Sequence, residues 1–262
     1  MRIASWNVNS VRLRLDILAR LAREQSPDVI CLQEIKAKAE DVPFEALRAL
    51  GYPHIHLRSM KGYNGVAILS RLPLKNPQGR DWCGREDARH AVAMLPGGIE
   101  LHNFYIPAGG DIPDRRQNKK FAHKLDFLDE ASGWFAEGRR NAKKMILVGD
   151  LNIAPLESDV WSHKQLLKVV SHTPIEVEKL GRLQESAKWV DAVRKIIPPS
   201  EQLYSWWSYR ASDWAAADKG RRLDHIWVTP GLAGDVKDAR ILRDARGWTQ
   251  PSDHVPVIVD LA

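Results

Sequence analysis

The stretch that most constrains this chain is Lys144–Pro155, KMILVGDLNIAP. Met145–Val148 is a short apolar run whose Ile, Leu and Val suit a buried strand better than a helix of that length. Gly149 relaxes the backbone, and Asp150 and Asn152 follow with Leu151 between them. Strand side chains alternate, so Asp150 and Asn152 point to one side at the strand's carboxyl end. Ala154–Pro155 then stops the pairing. A carboxylate and an amide held side by side there can position a water or a metal; the same residues can also do no more than cap the strand in a turn. The rest of the chain decides between these readings.

A chain of 262 residues is long enough for one large α/β domain or two small ones. Taken in order, the pattern predicts a strand over Arg2–Val8, a helix over Arg12–Gln25, a strand over Asp28–Gln33 and a short helix over Phe44–Leu50. Strands follow at Gly65–Ser70, Ala91–Leu95 and Ile99–Ile106, the last two joined by a Pro96-Gly97-Gly98 turn, so the middle reads as antiparallel hairpins. Asn118–Ala136 places Phe121, Leu125, Leu128 and Phe135 at helical spacing. Beyond the Asp150 strand, Glu157–Val169 and Ile175–Ile197 read as mostly helical. Ser205–Tyr209, Leu223–Val228, Ala239–Leu242 and Val255–Leu261 read as strands. No repeat or linker-like stretch interrupts this, so residues 1–262 are expected to form one domain with two sheets from two similar halves.

Asn7, Glu34, Tyr105, Asp150, Asn152, Asp224 and His254 each fall at the end or mouth of a predicted strand. Polar groups placed there repeatedly on an apolar scaffold point to one site assembled from many loops. Charge adds a weaker pointer: 39 basic minus 33 acidic residues gives +6, which suits a polyanionic partner without requiring one. Cys31 and Cys83 follow no paired or zinc-binding spacing and are expected to be reduced, buried thiols. No apolar run approaches membrane-spanning length and the start MRIASWNVNS has no signal pattern, so the expectation is a cytoplasmic protein.

Eight motifs run in order along the chain: SWNVNS at Ser5–Ser10, LQEIK at Leu32–Lys36, YNGVAILS at Tyr63–Ser70, NFYIPAGG at Asn103–Gly110, GDLNIAP at Gly149–Pro155, YSWWSYR at Tyr204–Arg210, RRLDHIWV at Arg221–Val228 and PSDHVPV at Pro251–Val257. With them the chain resembles the exonuclease III family of apurinic/apyrimidinic-site endonucleases, within the endonuclease/exonuclease/phosphatase superfamily. The resemblance implies a four-layer α/β/β/α sandwich, two packed mixed, mostly antiparallel sheets with helices outside. It also implies Mg²⁺-dependent hydrolysis of DNA phosphodiesters, with Mn²⁺ as a substitute.

Phosphodiester hydrolysis needs positive charge on the phosphate, an activated water in line and help for the departing oxygen. Mg²⁺ prefers oxygen ligands and keeps several waters, so one or two carboxylates suffice. Glu34 is the leading ligand, with Asn7 beside it; Asp150, Asn152 and Asp253 complete the metal candidates. Asp150 is the candidate for orienting and deprotonating water, Asn152 and Tyr105 for hydrogen-bonding the phosphate. Asp224 and His254 resemble the family's Asp–His pair, in which the carboxylate raises the imidazole's pKa so that the other nitrogen donates to the phosphate. Asp150 and the His254 pair both remain candidates for the base.

On the substrate side, the family's YSWWSYR loop lines an apolar pocket for an extrahelical abasic sugar. Trp206 and Leu223 match its walls, Trp207 is assigned to the core, and Tyr63, Asn64 and Lys119 are further DNA-contact candidates. Two residues depart from the pattern. Arg221 stands where relatives often have an apolar pocket residue, and Ala108 replaces an amide. Arg115, Arg116, Lys119, Lys120 and Lys124 read as a basic loop and helix start suited to phosphates, and His172 as a surface histidine. The expected partner is duplex DNA with abasic sites or blocked 3′ ends, bound by a monomer with no membrane contact. The rivals are a lipid- or inositol-phosphate phosphatase, a nonspecific nuclease, a 3′-end-specialised enzyme and a catalytically silent nucleic-acid binder.

Overall fold

Alternation along the apolar strand runs decides the layering. A computed structural model describes residues 1–138 and 144–262. The strands are β1 (Arg2–Asn7), β2 (Val29–Gln33), β3 (His54–Arg58), β4 (Val66–Ser70), β5 (Lys75–Gln78), β6 (His90–Leu95), β7 (Ile99–Tyr105), β8 (Met145–Asp150), β9 (Val190–Asp191), β10 (Trp206–Trp207), β11 (Gly220–Arg221), β12 (Asp224–Val228), β13 (Val236–Ile241) and β14 (Val257–Leu261). One six-stranded sheet has the order β13-β14-β1-β2-β4-β3 and the other β5-β6-β7-β8-β12-β9, while β10 and β11 form a separate ribbon. Each sheet contains one parallel pair, β1 with β2 and β7 with β8, and antiparallel neighbours elsewhere. The two sheets share one arrangement: a parallel pair, then an antiparallel strand with an earlier strand of the chain at its edge. The two sheets are alike in this arrangement, although the first joins the N-terminal strands β1–β4 to the C-terminal β13 and β14.

Odd residues of β1 and β2 and alternate residues of β7, β8 and β12 meet between the sheets: Ile3, Val29, Cys31, Leu101, Ile146, Val148 and Ile226 are all buried there. Their other faces receive helices. Helix α1 (Leu15–Gln25) and α2 (Phe44–Ala49) cover the first sheet, packing Leu18, Leu21 and Leu47 on Ala4, Trp6, Ile30 and Leu32. Helix α3 (Lys119–Gly138) and α4 (Pro174–Ser186) cover the second, packing Phe127, Phe135, Leu180 and Leu183 on Phe104, Leu147 and Trp227. The result is the four-layer α/β/β/α sandwich.

Five expectations need correction. Strands β3 and β5 were not anticipated: β5 is a fully exposed edge containing Pro77 and has no apolar face, whereas the β3 edge does alternate, with Ile55 and Leu57 on the core between His54, His56 and Arg58, a signal the sequence reading passed over. Glu157–Val169 is a loop holding only the turn Glu157–Asp159 and the short helix His163–Leu166, because the buried Asp159 carboxylate is drawn inward to Arg194 and Arg222. Ile175–Ile197 is broken by β9, where Asp191 caps the helix Ala192–Ile196 through the amides of Val193 and Arg194. Only Trp206–Trp207 of Ser205–Tyr209 is strand. Cys31 is buried and Cys83 only half-buried, both free.

Candidate active site

The face between the sheets does not stay apolar to its end. Along β1 it runs Ile3, Ser5, Asn7; along β2 Val29, Cys31, Gln33; along β7 Leu101, Asn103, Tyr105; along β8 Ile146, Val148, Asp150; and β12 opens it with Asp224. Register aligns these termini, since Asn7 pairs with Gln33, Tyr105 with Asp150, and Asp224 with Asp150. Beneath them Gln33 Nε2 donates to Asn103 Oδ1 at 2.8 Å, and Asn103 Nδ2 donates to the carbonyls of Leu32 and Ala67. This buried polar layer ties the sheets together under the site, a part played by Gln33 and Asn103 that sequence reasoning missed.

The catalytic candidates then meet across the seam. Asn7 Nδ2 lies 2.9 Å from Glu34 Oε1 and 2.9 Å from Asp150 Oδ2. The Tyr105 hydroxyl donates to Glu34 Oε1 at 2.8 Å. His254 Nδ1 is 2.8 Å from Asp224 Oδ2, and its Nε2 faces Asp150 Oδ2 at 3.7 Å. Asn152 donates from its backbone N–H to Asp150 Oδ1 at 3.0 Å and from Nδ2 to Asp150 Oδ2 at 3.1 Å. Two turns make this possible: Glu34 and Asn152 follow β2 and β8 in the left-handed region, φ 51° and 55°, a conformation uncommon for such residues and frequent at functional sites.

Burial and neighbouring charge set the protonation. Burial pushes the Asp150 carboxyl up, to about 7, against the opposing pull of His254. Burial alone would depress His254, but Asp224 and Asp150 outweigh it and raise the imidazole to about 10. Burial also opposes ionisation of Glu34, yet Lys36 and the Asn7 amide hold it below the usual range. Burial, then Glu34 and Asp150, keep the Tyr105 hydroxyl protonated far above its ordinary value.

The oxygen-rich donor set fits a hard divalent cation. Ligating atoms of Asp150, Asp224 and His254 lie within 4.8 Å of one another. Asp224 and His254 are spent on each other, which leaves the carboxylates of Glu34 and Asp150 as the available ligands. Asn7 turns its amide nitrogen towards the two carboxylates, while its Oδ1 accepts from the Asn9 N–H at 3.1 Å. Asp253 is likewise engaged, accepting from Asn9 Nδ2 and Trp206 Nε1, each at 3.0 Å.

A family profile described as "Endonuclease/Exonuclease/phosphatase family" matches residues 4–254, nearly the whole chain. The chain belongs to this family, in its exonuclease III branch. Exodeoxyribonuclease III of Haemophilus influenzae is 31% identical, with 98% of each chain covered. An AP endonuclease structure from Archaeoglobus fulgidus superposes with a TM-score of 0.92 at 30% identity, covering 100% of this chain and 99% of that one. A Neisseria 3′ phosphatase bound to product DNA hairpin does so with 0.92 at 28%, with the same coverage.

Two clefts flank this family site. One of about 570 Å³ is lined by Asn152, His254, Trp206, Leu223, Arg221 and Trp161. Trp207 is buried instead, against Tyr204 and Trp214. The other, about 720 Å³, lies beyond Tyr105 and is lined by Tyr63, Asn64, Lys119, Lys120, Arg85 and Arg89. Two readings of single residues need correction. Lys124 is no surface cation; it is fully buried on Glu176 and the carbonyls of Asn152 and Ala108. His172 is buried too, with Nδ1 2.6 Å from the Ala154 carbonyl. Arg89, whose guanidinium stacks 4.8 Å from the Tyr105 ring, gave no sequence signal because nothing local ties it to Tyr105.

Proposed function

We propose that this DNA-repair nuclease hydrolyses the phosphodiester 5′ to abasic sites in duplex DNA and removes 3′-terminal nucleotides and phosphates at the same centre. The observation that carries this is the Asp224–His254–Asp150 line closing against Asn7–Glu34 across the sheets. With Nδ1 engaged by Asp224, His254 presents Nε2 to a phosphate oxygen as a donor. Asp150 then takes the proton from the attacking water, which assigns the base to Asp150 rather than to His254. Asn152 holds that carboxylate in place, and the protonated Tyr105 hydroxyl donates to the phosphate. Mg²⁺, with Mn²⁺ as substitute, held by Glu34 and Asp150, would supply positive charge against the phosphate oxygens. Each substrate meets one chemistry: water adds to phosphorus and the upstream 3′ oxygen leaves with a proton.

Tyr63, Asn64 and Lys119 on one side, and Trp206, Leu223 and Arg221 on the other, line clefts suited to the strand on either side of the reacting phosphate. The reading includes a monomer acting in the cytoplasm; among the described residues no helix is long and apolar enough to cross a membrane. A 3′-end-specialised enzyme is the second reading, favoured by the likeness to the Neisseria 3′ phosphatase. An end-labelled duplex with one abasic analogue, incubated with Mg²⁺ or EDTA beside Asp150→Asn, separates them. A single Mg²⁺-dependent cut 5′ to the lesion, lost in the variant, supports the first reading; resection from 3′ ends with no internal cut supports the second.

A further inference from the structure

Arg221 and Arg222 are chain neighbours with opposite fates. Arg222 is buried, and its charge is matched by Asp159 at 2.7 Å and Asp191 at 2.7 Å. Arg221 is half-buried and makes no ion pair among the described residues; the carboxylate that acts on it, Glu176, is already paired with Lys124. Arg221 Nη1 donates to the Val170 carbonyl at 3.0 Å and Ser171 Oγ at 2.8 Å. Its Nε is buried without any partner. Its guanidinium carbon sits 5.2 Å from the centre of the Trp206 ring, and the side chain lines the catalytic cleft. A buried cation without a counter-ion is costly, so folded proteins pair such groups.

The missing partner is not the reacting phosphate. Trp206 is the strand neighbour of Arg221 on one side and of His254 on the other. Directly paired residues project from one face, so the three side chains stand in a row with the indole between imidazole and guanidinium. Arg221 is thus set roughly two strand spacings, about 10 Å across the strands, from the residue that meets the reacting phosphate. The carboxylates lining the cleft do not supply the anion: Glu34 is engaged by Lys36 and Asn7, Asp253 by Asn9 and Trp206, and Asp111 is exposed and makes no ion pair with Arg221. Lys219, over the Trp161 ring at 4.8 Å, adds a second cation on an aromatic wall of the same cleft.

Resting on the nuclease reading above, we infer that Arg221 is the recognition residue for a second anionic group on the substrate, attached to the downstream side of the reacting phosphate. That anion has two sources: the next phosphate of a continuous strand, or a carboxylate on a 3′-terminal sugar remnant. A neutral remnant leaves Arg221 unpaired and is the poorer substrate.

The test needs no variant at first. Steady-state kinetics of the full chain are compared on an abasic duplex with an ordinary or a methylphosphonate linkage 3′ to the lesion, and on 3′ ends closed by a carboxymethyl or an ethyl phosphodiester. The charged member of each pair is expected to show kcat/KM about 10- to 100-fold higher, mostly through KM, the range of one charge-assisted hydrogen bond. Sensitivity confined to the first pair identifies the internal phosphate as the anion, and to the second the terminal carboxylate; either supports the proposal. In Arg221→Leu both preferences should collapse towards one, with partial retention in Arg221→Lys. Equal rates within both pairs for the unaltered chain overturn the inference alone. So does a uniform loss in Arg221→Leu that keeps the preferences, since Arg221 then acts only by holding Val170 and Ser171. Failure to cut any of the four overturns the nuclease reading and this inference with it.

Discussion

Asp224 Oδ2 lies 2.8 Å from His254 Nδ1 and also accepts from Ser205 Oγ at 2.6 Å. The carboxylate is thereby fixed from one side by the YSWW loop while it fixes the imidazole on the other. Asp224→Asn keeps the shape but loses the charge that raises His254. It is expected to lower kcat roughly 10²- to 10⁴-fold with little change in KM, read by single-turnover cleavage of an abasic duplex. A loss confined to KM would place the pair in binding instead.

Glu34 is the carboxylate that opens onto the cleft while Asn7, Tyr105 and Lys36 hold it. Glu34→Gln removes its charge with minimal change in volume. The Mg²⁺ concentration for half-maximal cleavage should rise at least about tenfold, with Tm changed little; titration of activity against free Mg²⁺ measures it.

Gly149 has φ +146°, and a Cβ placed on it would fall 1.9 Å from the Phe104 carbonyl oxygen. That backbone cannot move without separating β7 from β8. Gly149→Ala should cost at least about 3 kcal/mol, seen as a fall in the denaturant midpoint.

Asp159 is buried between Arg194 and Arg222. Asp159→Asn leaves two buried cations short of their counter-ion and should cost about 3–5 kcal/mol. Asp260→Asn, which weakens the partly exposed pair with Arg2, should cost less than about 1 kcal/mol. Chemical denaturation of the two variants side by side tests the contrast.

His225 is fully buried, and burial followed by the nearby Arg222 depresses its pKa from 6.5 to about 4. Below 6.5 the unfolded chain takes up a proton that the fold refuses, so this stabilisation is complete above 6.5 and declines as pH falls towards 4. The loss is of order 3 kcal/mol. His225→Gln, which keeps a donor for the Ile153 carbonyl, should flatten the dependence of Tm on pH in that window.

The parts legible in the sequence were those whose physics is local. Apolar runs such as Met145–Val148 announce central strands, and the polar residues closing them mark the mouth. Edge strand β5 was invisible because a wholly exposed edge needs no apolar face; β3 did carry a signal, Ile55 and Leu57 alternating with His54, His56 and Arg58, too short to stand out beside the long apolar runs. Lys124 looked like a surface cation because its partner, Glu176, is 52 residues away. His172 looked exposed because its sequence is polar, although the carbonyl that holds it belongs to Ala154 in another loop. Gln33 and Asn103 read as strand residues, and only the packing of two sheets makes them one hydrogen-bonded layer.

The seam between the sheets has a mechanical consequence. Asn7, Glu34 and His254 ride on one sheet, and Tyr105, Asp150, Asn152 and Asp224 on the other, so the contacts Asn7–Asp150, Glu34–Tyr105 and Asp224–His254 all span the gap. The two halves work as the jaws of a vice whose faces are ground only where they meet. A slip of one jaw by an ångström leaves each half intact to any optical measure of folding, yet parts all three contacts together. Turnover is therefore the finer gauge of alignment, and substitutions deep between the sheets should silence the enzyme before they melt it.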